Sequence, residues 1–222
     1  MRSMFDQQLK TLNEEMLYMG GLCEDTIQQT IEALMSGDMK KAHALNNMMS
    51  QLTQQERSIE NICLKLLMQQ QPVARDLRTI SSSLKMVTDM ERIGIQACEV
   101  AEIIAAGNVV RATDKVDFQE LSDEVSHMVQ MAMMAYDKKN LDLADEVIKY
   151  DDVVDKLFCD IRGDLIKQLK DDTNDAECFI DMLMIDKYFE RIGDHASYIA
   201  HMSNEMHDNH TNFSQEAWDE LN

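Results

Sequence analysis

One proline (Pro72) and seven glycines are spread over 222 residues. Both residue types interrupt helices, proline by lacking an amide hydrogen and glycine through backbone entropy. Their scarcity excludes a turn-rich fold and predicts long helices with few breaks. Bases are also scarce: 21 Lys and Arg stand against 41 Asp and Glu, a formal charge of −20. Phosphate backbones and anionic lipid surfaces both require concentrated positive charge, so the composition excludes nucleic acid and lipid adhesion as first readings. It suits a cation or a basic partner instead. No apolar run approaches the roughly 20 residues of a membrane span, so no direct membrane insertion is expected. The start, MRSMFDQQL, carries an acid and amides where a signal peptide needs an apolar core. The five cysteines are Cys23, Cys63, Cys98, Cys159 and Cys178, an odd number without a C-x-x-C pair. They read as reduced, mostly buried small hydrophobes of a cytoplasmic protein.

What is present is helical periodicity. Phe5, Leu9, Leu12, Met16, Met19, Cys23, Ile27, Ile31 and Leu34 recur in steps of four and three, which places one apolar stripe along a helix. A break follows at Ser36-Gly37-Asp38, where Asp38 can cap the next helix. That second helix is expected to run to about Gln71. Pro72 opens a third, which ends before Gly107-Asn108. After an aperiodic segment come a fourth helix over about 117–138, a fifth from near Asn140, and a sixth from about Asn174 to His207. Helices this long cannot bury their stripes alone, so each trio is expected to form a three-helix bundle. The 19 methionines suit helix interiors, where their flexible side chains fill irregular gaps. The fold class is therefore all-α, with two tandem, internally repeated antiparallel bundles over 1–107 and 108–207 and a polar tail over 208–222.

The repeat is visible in the letters. Glu91-Arg92-Ile93-Gly94 recurs as Glu190-Arg191-Ile192-Gly193, 99 positions on. A shift of 102 aligns the preceding helices, so the loop before the last helix is three residues shorter. An identical tetrapeptide at matching places in two helical trios favours duplication. Only the second copy closes with an acid: Asp194 stands where the first copy has Ile95.

Carboxylates gather around the second copy. Asp186, Glu190 and Asp194 lie at i, i+4 and i+8, on one helical face, and Asp151 and Asp155 repeat that spacing on the preceding helix. Two such stacks facing each other repel, and a hard cation held by carboxylate oxygens would neutralise them. Read alone, either pair is more readily an ordinary solvated face beside Lys156, Lys187 and Arg191. Glu124 and His127 match one half of a di-iron carboxylate signature, which requires two such motifs and two further Glu. His195 adjoins Asp194, but neighbouring residues point about 100° apart on a helix, and it reads as a surface histidine.

Over about residues 1–207 the chain resembles the PhoU family, regulators of phosphate uptake and phosphate signalling. The resemblance is carried by Phe5-Asp6-Gln7-Gln8-Leu9, Met19-Gly20, the stretch from Gln70-Gln71-Pro72 through Arg75-Asp76-Leu77-Arg78, Asp89 to Gly94, and Tyr188 to Ala196. It implies tandem three-helix bundles and a metal site on each, built from paired Glu/Asp-x-x-x-Asp motifs. In the second half the pair is complete: Asp151 and Asp155 with Glu190 and Asp194, joined by Asp186. In the first half the matching positions hold Met49, Thr53, Glu91 and Ile95, so most ligands are lost, with Asp89, Glu56 and Glu60 left nearby as a weak substitute. Iron, zinc, manganese and magnesium are the candidate ions. The resemblance also implies a non-enzymatic regulator working beside the phosphate ABC transporter's ATPase and a sensor histidine kinase, and a homodimer is expected. Gln71, Arg75 and Arg78 are candidate docking residues; the same stretch is equally a capped helix entry. The competing readings are a metal-dependent carboxylate enzyme, and a helical scaffold without metal.

Overall fold

A computed structural model describes residues 2–69, 73–109, 116–171 and 175–207. Every regular element among them is helical: α1 (Arg2–Ser36), α2 (Met39–Ala44), α3 (Asn46–Gln69), α4 (Ala74–Ala106), α5 (Gln119–Lys138), α6 (Leu141–Asp171) and α7 (Ala176–His207). Asp38 caps α2 as its position suggested, accepting from the amides of Lys40 at 2.9 Å and Lys41 at 3.2 Å. Gly107, at φ 85°, ends α4 in the left-handed conformation that glycine adopts without strain. Gln70, Gln71 and Pro72, most of the segment between the halves, and the tail over 208–222 lie outside the described residues.

The second expected helix is not continuous; it steps at Leu45 into α2 and α3. Asn46 and Asn47 follow, and asparagine competes with the helix for its own backbone hydrogen bonds. Leu45 is itself buried, and the thiol of Cys98 on α4 donates to its carbonyl at 3.7 Å. Side chains of α1 reach α4 in the same way: the Cys23 thiol donates to the Met90 carbonyl at 3.0 Å, and the Thr30 hydroxyl to the Ala97 carbonyl at 3.1 Å. The cysteines are mostly buried, as expected: Cys159 lies exposed on α6, while the other four are buried.

In the first half α1, α3 and α4 pack on one another, and in the second α5, α6 and α7 do so. The halves also share an interface, because α4 packs on α7 more extensively than any other helix pair. The pairing is antiparallel. Lys85 faces Glu205 at 3.8 Å, Asp89 faces His195 at 3.0 Å, Glu99 accepts from the Tyr188 hydroxyl at 3.3 Å, and Asp181 accepts from Asn108 at 3.0 Å. Buried apolar residues of both trios, among them Met16, Leu52, Met90, Met128, Val154 and Phe189, belong to one contiguous core.

Candidate functional site

The two Glu-Arg-Ile-Gly segments occupy equivalent places. A methyl at Gly193 would lie 3.1 Å from Val154 on α6, and one at Gly94 would lie 2.4 Å from Leu52 on α3. Leu52 and Val154 are 102 positions apart, the shift that aligns these helices in sequence. Each glycine thus lets its helix approach the middle helix of its own trio. That contact fixes the register that decides which side chains face one another.

In the second half the register places Asp155, next to Val154, and Asp151, one turn earlier, opposite the helical turn that carries Glu190 and Asp194. These acids sense one another. Burial first, then the charges of Asp194, Asp155, Asp152 and Glu190, push Asp151 up to about 6. Asp194 is raised by burial, then by Glu190 and Asp155, with Lys187 and His195 opposing. Asp186 is fully buried on α7, and both of its carboxylate oxygens lack a hydrogen-bond partner. Burial raises it to about 8, opposed by Arg162 and reinforced by Glu190. A side chain this desolvated is held as a neutral acid unless a cation reaches it.

Chemically the donor set fits a hard or borderline divalent ion: all its atoms are carboxylate oxygens, and their mutual repulsion is what such an ion relieves. It is not a closed cage. Among the described residues no three or more Asp, Glu, His or Cys side chains converge on a common centre. Lys187 explains part of this, because its ammonium holds Glu190 in an ion pair at 2.5 Å and lies over the Phe158 ring.

The first half shows the same frame with other side chains. Met49, Thr53, Glu91 and Ile95 occupy the corresponding positions, all half-buried. Some coupling between acids survives: Glu56 is raised by burial, then by the charges of Glu91 and Glu60. Asp89 is committed elsewhere, to Nδ1 of His195. That pair also corrects the reading of His195 as a surface histidine, since its side chain is 12% exposed and sits in the α4–α7 interface. Spacing along α7 gave no hint of this, because the partner lies on the other repeat.

A PhoU-domain model matches residues 16–104 and again 118–202. The chain belongs to the PhoU family. The two matches fall on the two helical trios, as duplication requires. A Clostridium acetobutylicum protein described as a phosphate-specific transport system accessory protein PhoU homolog is 34% identical over 200 residues, covering 89% of this chain and 91% of that one. A Pseudomonas aeruginosa protein of the same description is 32% identical, covering 89% and 83%. The crystal structure of PhoU from Pseudomonas aeruginosa superposes with a TM-score of 0.86 at 30% identity, covering 91% of this chain and 98% of that one. A Streptococcus pneumoniae PhoU, described as a phosphate transport system regulatory protein, shares the fold at 21% identity with a TM-score of 0.83.

The remaining candidates divide by their partners. Glu124 accepts a hydrogen bond from the Tyr150 hydroxyl, and His127 packs edge-on against the same ring at 5.6 Å. Tyr150 on α6 thus occupies both members of the half-signature. At the start of α4, Arg75 is exposed and Arg78 half-buried, while Gln71 lies outside the described residues. Sequence reasoning missed the gathering of Lys10, Arg75, Lys139 and His207 around one cleft. These residues are scattered along the chain, and no spacing rule connects them.

Proposed function

We propose that this chain is a cytoplasmic, non-enzymatic negative regulator of phosphate uptake and phosphate-starvation signalling. It works by docking to the ATPase of the phosphate ABC transporter and to a sensor histidine kinase. The observation that carries this reading is the near full-length likeness, at up to 34% identity, to proteins described as accessory to phosphate-specific transport. No described helix is long and apolar enough to cross a membrane, which suits a protein recruited to a transporter rather than part of its channel. The entry to α4, with exposed Arg75 and half-buried Arg78, is the proposed partner-docking surface, and Gln71 is assigned to it from the sequence. A homodimer is the proposed assembly.

In this reading the acids of α6 and α7 hold one or more metal ions, with iron, zinc, manganese and magnesium as candidates. Asp151, Asp155, Glu190 and Asp194 supply the oxygens, and Asp186 lies one turn away on the same face. Bound there, the ion supplies positive charge that pins α6 to α7 and cancels their repulsion. Glu190 must exchange Lys187 for the ion, so binding is coupled to release of that side chain.

Deletion of the gene tests the function: phosphate uptake and starvation genes should be derepressed when phosphate is plentiful. Affinity capture from the wild-type strain should recover the transporter ATPase and the sensor kinase. Unchanged phosphate regulation in the deletion strain would refute the reading. Metal-dependent turnover by the purified protein would instead favour the carboxylate-enzyme alternative.

A further inference from the structure

Four basic side chains from distant parts of the chain meet around one cleft of ≈ 400 Å³: Lys10 of α1, Arg75 of α4, Lys139 just beyond α5, and His207 at the end of α7. Such a gathering is unexpected in a chain of net charge −20. Lys10 shares its charge with Glu14 at 3.5 Å. Among the described residues, neither Arg75 nor Lys139 has a carboxylate within ion-pair distance. The cations also face one another, for Lys139 and Arg75, after burial, lower the proton affinity of His207. Burial and the two cations thus favour the neutral form of His207.

The walls carry buried polar groups. Ser83 is fully buried and lines the cleft, and the Tyr136 hydroxyl is the one polar group near its Oγ among the described residues. Burial pushes that phenol up, so it stays a neutral donor. Nε2 of His207 is buried and unpartnered. Buried polar atoms are rarely left so in the absence of a water or ligand. The first turn of α4 also borders the cleft; Val73 before it makes no side-chain cap, and Asp76 is the acid of that turn. Lys139 and His207 stand at the C-terminal ends of α5 and α7, which accounts for their sign but not for Arg75 or for the unpartnered Nε2 of His207.

Two acids, Asp76 and Asp137, line the same cleft. They would repel a fully deprotonated anion such as sulfate, but each can accept the acidic hydrogen of a hydrogen phosphate. Selectivity of this kind rests on a repulsive group as much as on attractive ones. We propose that the cleft between α1, α4, α5 and α7 is a binding site for a protonated tetrahedral oxyanion: free hydrogen phosphate, or the terminal group of a small phosphomonoester. Arg75 and Lys139 supply the charge, Ser83, Tyr136 and His207 the neutral donors, and Asp76 or Asp137 the acceptor. The proposal rests on the cleft and not on the transport reading.

The test is calorimetric titration of the full chain, stripped of metal by chelation and held at constant ionic strength, with inorganic phosphate, glycerol phosphate and sulfate in turn. Phosphate, its ester or both should bind saturably, with Kd on the order of 0.1–1 mM, and sulfate about tenfold more weakly. Arg75→Ala and Lys139→Ala alter exposed residues and should preserve the helical circular dichroism, yet each should weaken binding about tenfold. Lys85→Ala, on another face, should not. The Glu190→Gln/Asp194→Asn variant should bind as wild type, which separates this cleft from residual metal on α6 and α7. Absence of saturable binding up to about 10 mM, equal affinity for sulfate, or wild-type binding by both cation variants would overturn the proposal. None of those results touches the regulator reading, which uptake in the deletion strain decides.

Discussion

The two halves are built on one frame and have diverged in what it carries. In both, a Glu-Arg-Ile-Gly segment on the last helix meets the middle helix through its glycine, at Leu52 in the first half and Val154 in the second. Around Val154 the neighbouring positions are Asp151, Asp155, Glu190 and Asp194; around Leu52 they are Met49, Thr53, Glu91 and Ile95. The contact that sets helix register needs a glycine and a branched apolar partner, and both halves keep it. The carboxylates add repulsion that stability alone would not retain, and only one half keeps them. Packing residues and carboxylates thus occupy adjacent positions under separate constraints.

The largest effect should come from exchanging these side chains. We expect Glu190→Gln/Asp194→Asn to abolish metal loading of the full chain, measured by elemental analysis after chelation and reloading. Thr53→Asp/Ile95→Asp with Met49→Asp should add a second site in the first half. The full chain is the right object, because α4 and α7 share a core that separate halves would expose. Undiminished loading of the double variant would remove the asymmetry from the metal and leave it in the sequence only.

Next in size are the two glycines. An alanine methyl at Gly94 would sit 2.4 Å from Leu52 Cδ1, which is buried and must move, whereas at Gly193 the nearest atom is 3.1 Å away. Overpacking costs about 1–3 kcal/mol, and replacing a helical glycine by alanine returns about 1 kcal/mol. Gly94→Ala should therefore destabilise the chain in denaturant titrations, and Gly193→Ala should lie near neutral. The reverse order would mean that the tighter contact belongs to the second half.

A smaller, pH-dependent difference should follow from the acids. Asp186 is raised from 3.8 to about 8 and Asp151 to about 6. The folded chain therefore binds more protons than the unfolded chain between about pH 4 and 8. Stability of the metal-free protein should fall as pH rises through that window, and the melting temperature should be higher at pH 5 than at pH 8 as far as these groups decide it. Asp186→Asn should flatten the profile, as should bound metal. An unaltered profile in Asp186→Asn would show that the residue is not the source.

The smallest effect concerns the seam between the halves. Asp89→Asn should cost about 0.5–1.5 kcal/mol by weakening its bond to His195. Tyr188→Phe, which loses only the longer bond to Glu99 at 3.3 Å, should cost less. Thermal denaturation of the two variants and their combination measures both; equal costs would mean that bond length and burial do not rank these contacts.

Much of this molecule is legible in the sequence alone. Threes-and-fours periodicity, Asp38 and Gly107 determine where most helices lie, because capping and amphipathicity are local. The repeat and its missing acid at Ile95 are likewise matters of letters. The step at Leu45 is less so: its carbonyl accepts from the Met48 amide at 2.8 Å and also from the thiol of Cys98, 53 residues away. Only the antiparallel docking of α4 on α7 could reveal that Asp89 is bound to His195 and that the halves share one core. The same packing brings Lys10, Arg75, Lys139 and His207 to a single cleft. Local sequence determines helices because their hydrogen bonds close within four residues. Which side chains meet between helices depends on register, and here that was decided by glycine contacts and buried area summed over the whole fold.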